Sequence, residues 1–326
     1  MDNGEKMQKA PVLVIDGFNL LIRSFVVMPT MNENGEHNGG LYGSLNSLKA
    51  YVKRFRPKKV IIAWDGPGGS KKRRKMYSNY KSGRRIPRRM CRAYDFLSVE
   101  EERKSMYFQL DRCKEYLNHL PIAQLKLEHT EADDIIAWAS HYYKDENVVI
   151  ISTDKDFYQL INENVKVFNP VTKKIFNPID IYDKFGIKPR NFVLARALDG
   201  DKSDDIEGIK GVGLKTAIKL FPNLNNEERL FPIDIIDYAK QLESDSSAKY
   251  KKIIEESAKV EINYKIMQLR DPLISSSQVA TMIDILGQKA NINVPKIRSM
   301  FIADQLWSQI KNFDDWVLNF VPLREK

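Results

Sequence analysis

PVLVIDGFN, residues 11–19, is a β-branched apolar run that stops at Asp16-Gly17. Two later stretches share the pattern. KKVIIAWDG (58–66) stops at Asp65-Gly66, and NVVIISTDKD (147–156) ends at Asp154 and Asp156. Short, continuous apolar runs predict strands buried on both faces, the habit of a parallel sheet. Between them lie helical patterns. LYGSLNSLKAYVKRF (41–55) spaces Leu41, Leu45, Leu48 and Val52 on one helical face, and ADDIIAWASHYY (132–143) reads as a helix. Alternating strands and helices predict an α/β sheet, and sites in such sheets form beyond the carboxyl ends of the strands. The acids sit at those ends.

The pattern changes from about residue 186. FVLARALDG, KTAIKLF, IIDYAKQL, VATMIDIL and SQIKNFDDWVLNF are helical in period and poor in strand signals. The expectation is an α/β domain over 1–185 and a mainly helical region over 186–326. No chemistry is legible beyond about residue 225, and no internal repeat is evident. The chain has 326 residues, 43% of them hydrophobic, enough for a real core. Its two cysteines, Cys91 and Cys113, have no metal-like spacing, which fits a reducing compartment. No apolar run approaches 18 residues and no signal peptide is visible, so a soluble cytoplasmic protein is expected.

Nine acids stand out: Asp16, Asp65, Glu131, Asp133, Asp134, Asp154, Asp156, Asp201 and Asp204. Each has an ordinary explanation. Asp-Gly after a strand is turn chemistry, and acids at a helix start, with Thr130 as a cap for EADD, favour the helix dipole. Together they say more. If the strands are parallel neighbours, at least five of these acids meet on one edge. Like charges 4 Å apart repel by roughly 4 kcal/mol at an effective dielectric near 20, so such a cluster needs protons or cations. All-oxygen sets suit Mg²⁺ or Mn²⁺ rather than Zn²⁺; histidine is scarce, at four residues, and no Cys/His ligand set exists. Two ions in one site are the usual means of phosphodiester hydrolysis.

DGDKSDDIEGIKGVGLKTAIKL (199–220) places Gly208, Gly211 and Gly213 before a helical stretch. A Gly-x-Gly turn entering a helix exposes N–H groups that can hold a phosphate. The spacing is not that of a Walker loop, and no strand precedes it, so a dinucleotide fold is not indicated. Lys210, Lys215 and Thr216 favour phosphate contact, although a plain helix–turn–helix connection explains the glycines equally well. KKRRKMYSNYKSGRRIPRRMCR (71–92) has eleven Lys and Arg and no acid, in a chain of net charge +9. Basic charge so concentrated points to a polyanion, with a disordered basic loop as the plain alternative.

In order, VIDGFNLLIRSF, GGLYGSL, WDG, RRKMYSNYKSGR, EADD, STDKDF and GDKSDDIEGIKGVGLKTA resemble the motifs of the 5′-nucleases. That family includes flap endonucleases, the 5′-nuclease domain of bacterial DNA polymerase I and the phage enzymes called ribonuclease H. The resemblance covers about residues 11–222; beyond 225 the weak likeness is to the phage enzymes, and with no polymerase following, a free-standing nuclease is expected.

The resemblance implies a PIN-like, mainly parallel sheet flanked by helices, with a helical arch over about 68–108. It implies a helix–three-turn–helix at about 199–222 that grips duplex DNA, often with a monovalent cation such as K⁺. Asp16, Asp65, Glu131 and Asp133 would hold one Mg²⁺, and Asp154, Asp156, Asp201 and Asp204 a second, with Asp134 close by; Mn²⁺ would substitute. Lys81 would contact the scissile phosphate. Arg84 would assist from the same helical face. Arg73 matches an arginine of the family, and Tyr80 would stack on an unpaired base. Lys72 departs from the family's usual aromatic residue, and Asp205 and Glu207 from its Asn and Pro.

The implied activity is a metal-dependent 5′–3′ exonuclease and flap endonuclease of DNA replication, acting on 5′ flaps or ends and open to RNA–DNA hybrids and RNA-primer removal. A monomer that meets no membrane is expected, in the host cytoplasm if phage-encoded. A sliding clamp or a single-strand-binding protein would be natural partners, though no docking peptide is visible. The alternatives are a non-catalytic branched-DNA-binding protein and a PIN-like ribonuclease.

Overall fold

The computed structural model describes residues 9–83, 89–91, 97–242 and 248–323. Its frame is a six-stranded sheet in the order β3-β2-β1-β4-β5-β6. The strands are β1 (Val12–Asp16), β2 (Lys59–Trp64), β3 (Ala123–Lys126), β4 (Val148–Ile151), β5 (Val165–Asn169) and β6 (Lys174–Phe176). All pair in parallel except β6, which runs against β5. The three runs read from the sequence are the three central strands. β1 lies between β2 and β4, with Asp16 opposite Ala63 and Ile15 opposite Ile151. Their acidic ends therefore share one edge. β3, β5 and β6 carry weaker signals: β3 is AQLK, only half-buried.

Helices cover both faces. On one lie α1 (Gly17–Val27), α2 (Gly39–Phe55) and α4 (Val99–Leu117), packed on Leu13, Ile15, Val60 and Ile62. On the other lie α5 (Ala132–Tyr142) and α7 (Phe192–Asp199), packed on Val12, Val14, Ile61 and Ile150. Between α2 and α4 comes α3 (Lys71–Met76), and α6 (Pro178–Phe185) follows β6. After α7 a small hairpin, β7 (Gly200–Asp201) and β8 (Ile206–Glu207), leads through the glycine turn to α8 (Leu214–Leu220). Then come α9 (Pro232–Gln241), α10 (Ala248–Glu255), α11 (Ser257–Met267) and α12 (Ser276–Gly287).

The chain does not divide as cleanly as its sequence suggests. α13 (Val294–Ala303) and α14 (Phe313–Leu318) return to the first sheet face, where Ile297, Met300, Phe301, Trp316 and Phe320 share a core with Leu13 and Leu45. The helix read in SQIKNFDDWVLNF is confined to α14, because a turn of 3₁₀ helix at Leu306–Ser308 and the Asn312 cap interrupt the pattern. If this tail belongs to one cooperative unit, Ile297→Val should lower its unfolding free energy by about 1 kcal/mol, the cost of one buried methylene. Urea denaturation should show that loss in a single transition, with no separate early phase.

The basic run departs from a continuous helical arch. α3 ends at Met76, and residues 77–82 form turns in which Lys81 has φ +54°. Lys81 therefore lies on a turn rather than on a helix. Arg84 lies outside the described residues, as do 85–88 and 92–96 of the expected arch. No described helix is long and apolar enough to cross a membrane.

Candidate active site at the carboxyl edge of the sheet

Asp16 ends β1 and caps α1: its Oδ1 accepts from the Asn19 N–H at 2.9 Å, and its Oδ2 from the Ser152 hydroxyl at 3.2 Å. Asp65 follows β2 and reaches across to α5, accepting from the Ala132 N–H at 2.8 Å. Asp65 rather than Thr130 thus satisfies the start of that helix; the Thr130 hydroxyl donates to the Glu128 carbonyl instead. The turn at Gly66 makes this crossing feasible. A Cβ there would lie 1.6 Å from the Leu127 carbonyl oxygen, so no other residue fits. Asp154 follows β4 and accepts from the Asp156 N–H at 2.8 Å.

These groups sense one another. Burial, with Asp65 and Asp154 nearby, pushes Asp16 up to about 6. Burial also holds Asp133 well above the usual carboxylate range, with Asp154, Glu131 and Asp16 adding to the shift against the pull of Lys81. Burial and then Asp154 push Asp156 up to about 7, although Arg196 opposes them. The hairpin brings Asp201 and Asp204 to the same place, since Asp201 acts on Asp156 and Asp204 on Lys81. Eight of the nine acids singled out from the sequence therefore meet: Asp16, Asp65, Glu131, Asp133, Asp154, Asp156, Asp201 and Asp204.

Asp134 lies close by, sharing Arg73 Nη1 with Glu131, but its oxygens are taken up by other partners. It is buried, and its oxygens take the Arg73 fork at 2.6 and 3.0 Å and the Leu273 N–H at 3.0 Å. Arg73 is likewise no surface group for nucleic acid. It is 3% exposed, donates to Glu131 at 2.7 Å and to the Ile266 carbonyl, and so ties α3 to α5 and α11. Tyr80 is not free to stack on a base. It is buried, and its hydroxyl donates to Glu131 Oε2 at 3.1 Å. One reason covers all three: their partners lie 51 to 193 residues away in sequence, beyond any local pattern.

Lys81 sits at the edge of the cluster. Its Nζ is 2.5 Å from Glu131 Oε1 and 3.9 Å from Asp204 Oδ2. Burial works against charge on both partners, yet Lys81 and Arg73 hold Glu131 below the usual range, and Glu131, Asp133 and Asp204 hold Lys81 above it. The Lys81 N–H also donates to the Asp204 carbonyl, and the Gly83 N–H to Asp205 Oδ2 at 2.7 Å. Asp205 has φ +56°, a region that aspartate and asparagine tolerate, which explains how it serves at that position. Lys72 donates to the Leu273 carbonyl and so anchors α3 without an aromatic ring.

The glycine turn is built on α7. The Ile209 N–H donates to the Leu198 carbonyl at 2.8 Å, and Asn263 of α11 bridges the Ala197 and Glu207 carbonyls. Gly211 has φ +87°, which requires glycine. Lys210, Gly211, Gly213 and Lys215 are exposed and Thr216 half-exposed.

The donor set fits divalent ions that prefer oxygen: it is all carboxylate, and burial leaves Asp16, Asp133 and Asp156 reluctant to ionise despite their hydrogen bonds and cationic neighbours. Among the described residues, however, no three such groups already surround one point. The reason is visible. Lys81 and Arg73 occupy Glu131, and Arg196 occupies Asp156 and Asp201.

Residues 11–186 match the family model described as the 5′-3′ exonuclease N-terminal resolvase-like domain. A 5′-3′ exonuclease of Aquifex aeolicus is 34% identical over 220 residues, covering 67% of this chain and 71% of that protein. The thermostable DNA polymerase I of Thermus thermophilus is 32% identical over 226 residues, 68% of this chain but 25% of the polymerase. In structure, the bacteriophage T5 flap endonuclease, solved in a pseudo-enzyme–product complex with DNA and metal ions, superposes with a TM-score of 0.64 at 18% identity. That match covers 97% of this chain and 100% of the phage protein, a likeness of fold. The family match spans more than half of the chain and the sequence relatives agree with it, so the chain belongs to the 5′–3′ exonuclease family.

Proposed function

We propose that this chain is a structure-specific 5′-nuclease that hydrolyses DNA phosphodiesters near 5′ ends and flap junctions, in the service of replication. The observation that carries this reading is the gathering of eight carboxylates at the carboxyl edge of the sheet, with Lys81 against Glu131 and Asp204 and Arg196 against Asp156 and Asp201. Asp16, Asp65, Glu131 and Asp133 are the residues for one divalent ion, and Asp154, Asp156, Asp201 and Asp204 for the other. Two such ions, Mg²⁺ by preference and Mn²⁺ in its place, would supply positive charge for both the attacking and the leaving oxygen.

The chain's own residues do the rest. Lys81 holds Glu131 in place and lies close enough to exchange that partner for a scissile phosphate, offsetting charge as it develops. The exposed turn at 208–216 grips the sugar–phosphate backbone of a duplex without reading its sequence. K⁺ at that turn, action on RNA–DNA hybrids, and a clamp or single-strand-binding partner belong to the same reading, as does a monomeric chain at work in the cytoplasm.

The experiment is gel analysis of a 5′-labelled flap duplex with and without Mg²⁺, run beside an RNA-primed hybrid. Product that needs Mg²⁺ is expected; tight flap binding with no product at any enzyme concentration would leave a non-catalytic junction binder. In the same assay, Lys210→Ala with Lys215→Ala should weaken duplex binding about equally for all sequences. It should also lower the slope of log affinity against log salt by about 2, since each lysine that no longer neutralises a phosphate removes about one unit. An unchanged slope would remove the turn from the DNA-binding surface.

A further inference from the structure

Nothing in the sequence pattern singles out Arg196, one arginine in the helical run FVLARALDG. In the structure its side chain is 14% exposed and every nitrogen has a task. Nε donates to Asp156 Oδ1 at 2.9 Å and Nη2 to Asp201 Oδ2 at 2.6 Å. Nη1 donates to the Gly200 carbonyl at 3.1 Å and reaches Asp199 Oδ2 at 3.5 Å. One guanidinium thus joins two acids 45 residues apart, one following β4 and one on the hairpin. The other oxygen of Asp201 already accepts from both the N–H and the hydroxyl of Ser203, each at 2.7 Å. Neither oxygen of Asp201 is left without a donor.

The other half of the cluster differs. Among the described residues, no Lys or Arg hydrogen-bonds Asp16, Asp65 or Asp133; the cations there meet Glu131. The two halves therefore offer a divalent ion unequal welcomes. We infer that Arg196 is a built-in cation that competes with the second divalent ion for Asp156 and Asp201. It is a positioning residue: it holds the two carboxylates side by side and must turn aside before either can bind that ion through the same oxygen. Guanidinium does not lose its proton in the working range, so Arg196 competes as a fixed charge and the ion's concentration relieves it. This inference rests on the two-ion reading above.

The test uses the full chain and Mn²⁺ alone, with free Mn²⁺ followed by electron paramagnetic resonance. The wild type should take up two ions in separate steps, the second weaker. Arg196→Gln, which keeps a hydrogen-bonding group and loses the charge, should tighten the second step about tenfold and leave the first within about twofold, the effect of removing one adjacent positive charge. A second step that is unchanged or weaker in this variant overturns the inference. A wild type that takes up fewer than two ions overturns the two-ion reading itself, and does so without reference to the variant. Should Arg196→Gln fail to fold, the Arg196 Nε–H resonance of the wild type decides. It should shift only in the second step of a Mg²⁺ titration; a shift in the first step, or none at saturation, overturns the inference.

Discussion

Replacing Asp154 and Asp201 together by asparagine should lower Mg²⁺-dependent flap cleavage by about a thousandfold or more. Removing one preorganised electrostatic group typically costs about 10²–10³ in rate, and groups that act as a unit do not add simply. Both replacements keep the shape. Asparagine at 154 can still accept from the Asp156 N–H, and at 201 from Ser203. Only charge is lost, and with it the means of holding the second ion. Asp154 adds to the burial that raises Asp16, Asp133 and Asp156, so Asp154→Asn alone should relieve repulsion and leave the protein at least as stable as wild type. Thermal unfolding therefore separates a catalytic loss from a folding loss. DNA affinity should stay within about threefold, since the 208–216 turn is untouched. A double variant that cleaves at the wild-type rate would end the two-ion mechanism.

What the sequence made legible follows from range. A strand that runs straight into an acid, as at Asp16, Asp65 and Asp154, states both the fold and the site, because parallel strands bring their ends together whatever lies between them. The glycine turn was equally readable, since φ +87° at Gly211 restricts the residue choice locally. The basic run was only half legible. Its charge marks a surface for polyanions, but charge does not say which cations turn inward, and Arg73 is among the most buried polar residues of the chain. Tyr80, which the resemblance casts as a stacking ring, serves as a hydrogen-bond donor to Glu131 by position. Arg196 was invisible for the opposite reason: a single arginine in an amphipathic helix reads as a solvated face. The one local hint was its spacing of three and five residues from Asp199 and Asp201, close enough for one side chain to reach both.

The same buried chemistry gives the largest expected effect on stability. Arg73→Ala should destabilise the fold by about 3–5 kcal/mol, the usual cost of stranding one side of a buried ion pair. Arg73 meets two acids, and the loss is unequal. Glu131 would keep Lys81 at 2.5 Å and the Tyr80 hydroxyl, whereas Asp134 would keep only the Leu273 N–H. An unpaired carboxylate in that place must protonate or draw in water, and either loosens α3 from α5 and α11 at once, because the guanidinium also satisfies the Ile266 carbonyl. Arg73→Lys should fall between, since an ammonium can satisfy one acid but cannot span both with a planar fork. Urea denaturation near pH 7 measures the difference. The salt dependence of DNA binding should not change in the folded fraction of either variant, because the Arg73 guanidinium is turned inward onto Glu131 and Asp134. A loss below about 1 kcal/mol, or a DNA-binding slope reduced by about one unit, would return Arg73 to the nucleic-acid surface beside its basic sequence neighbours.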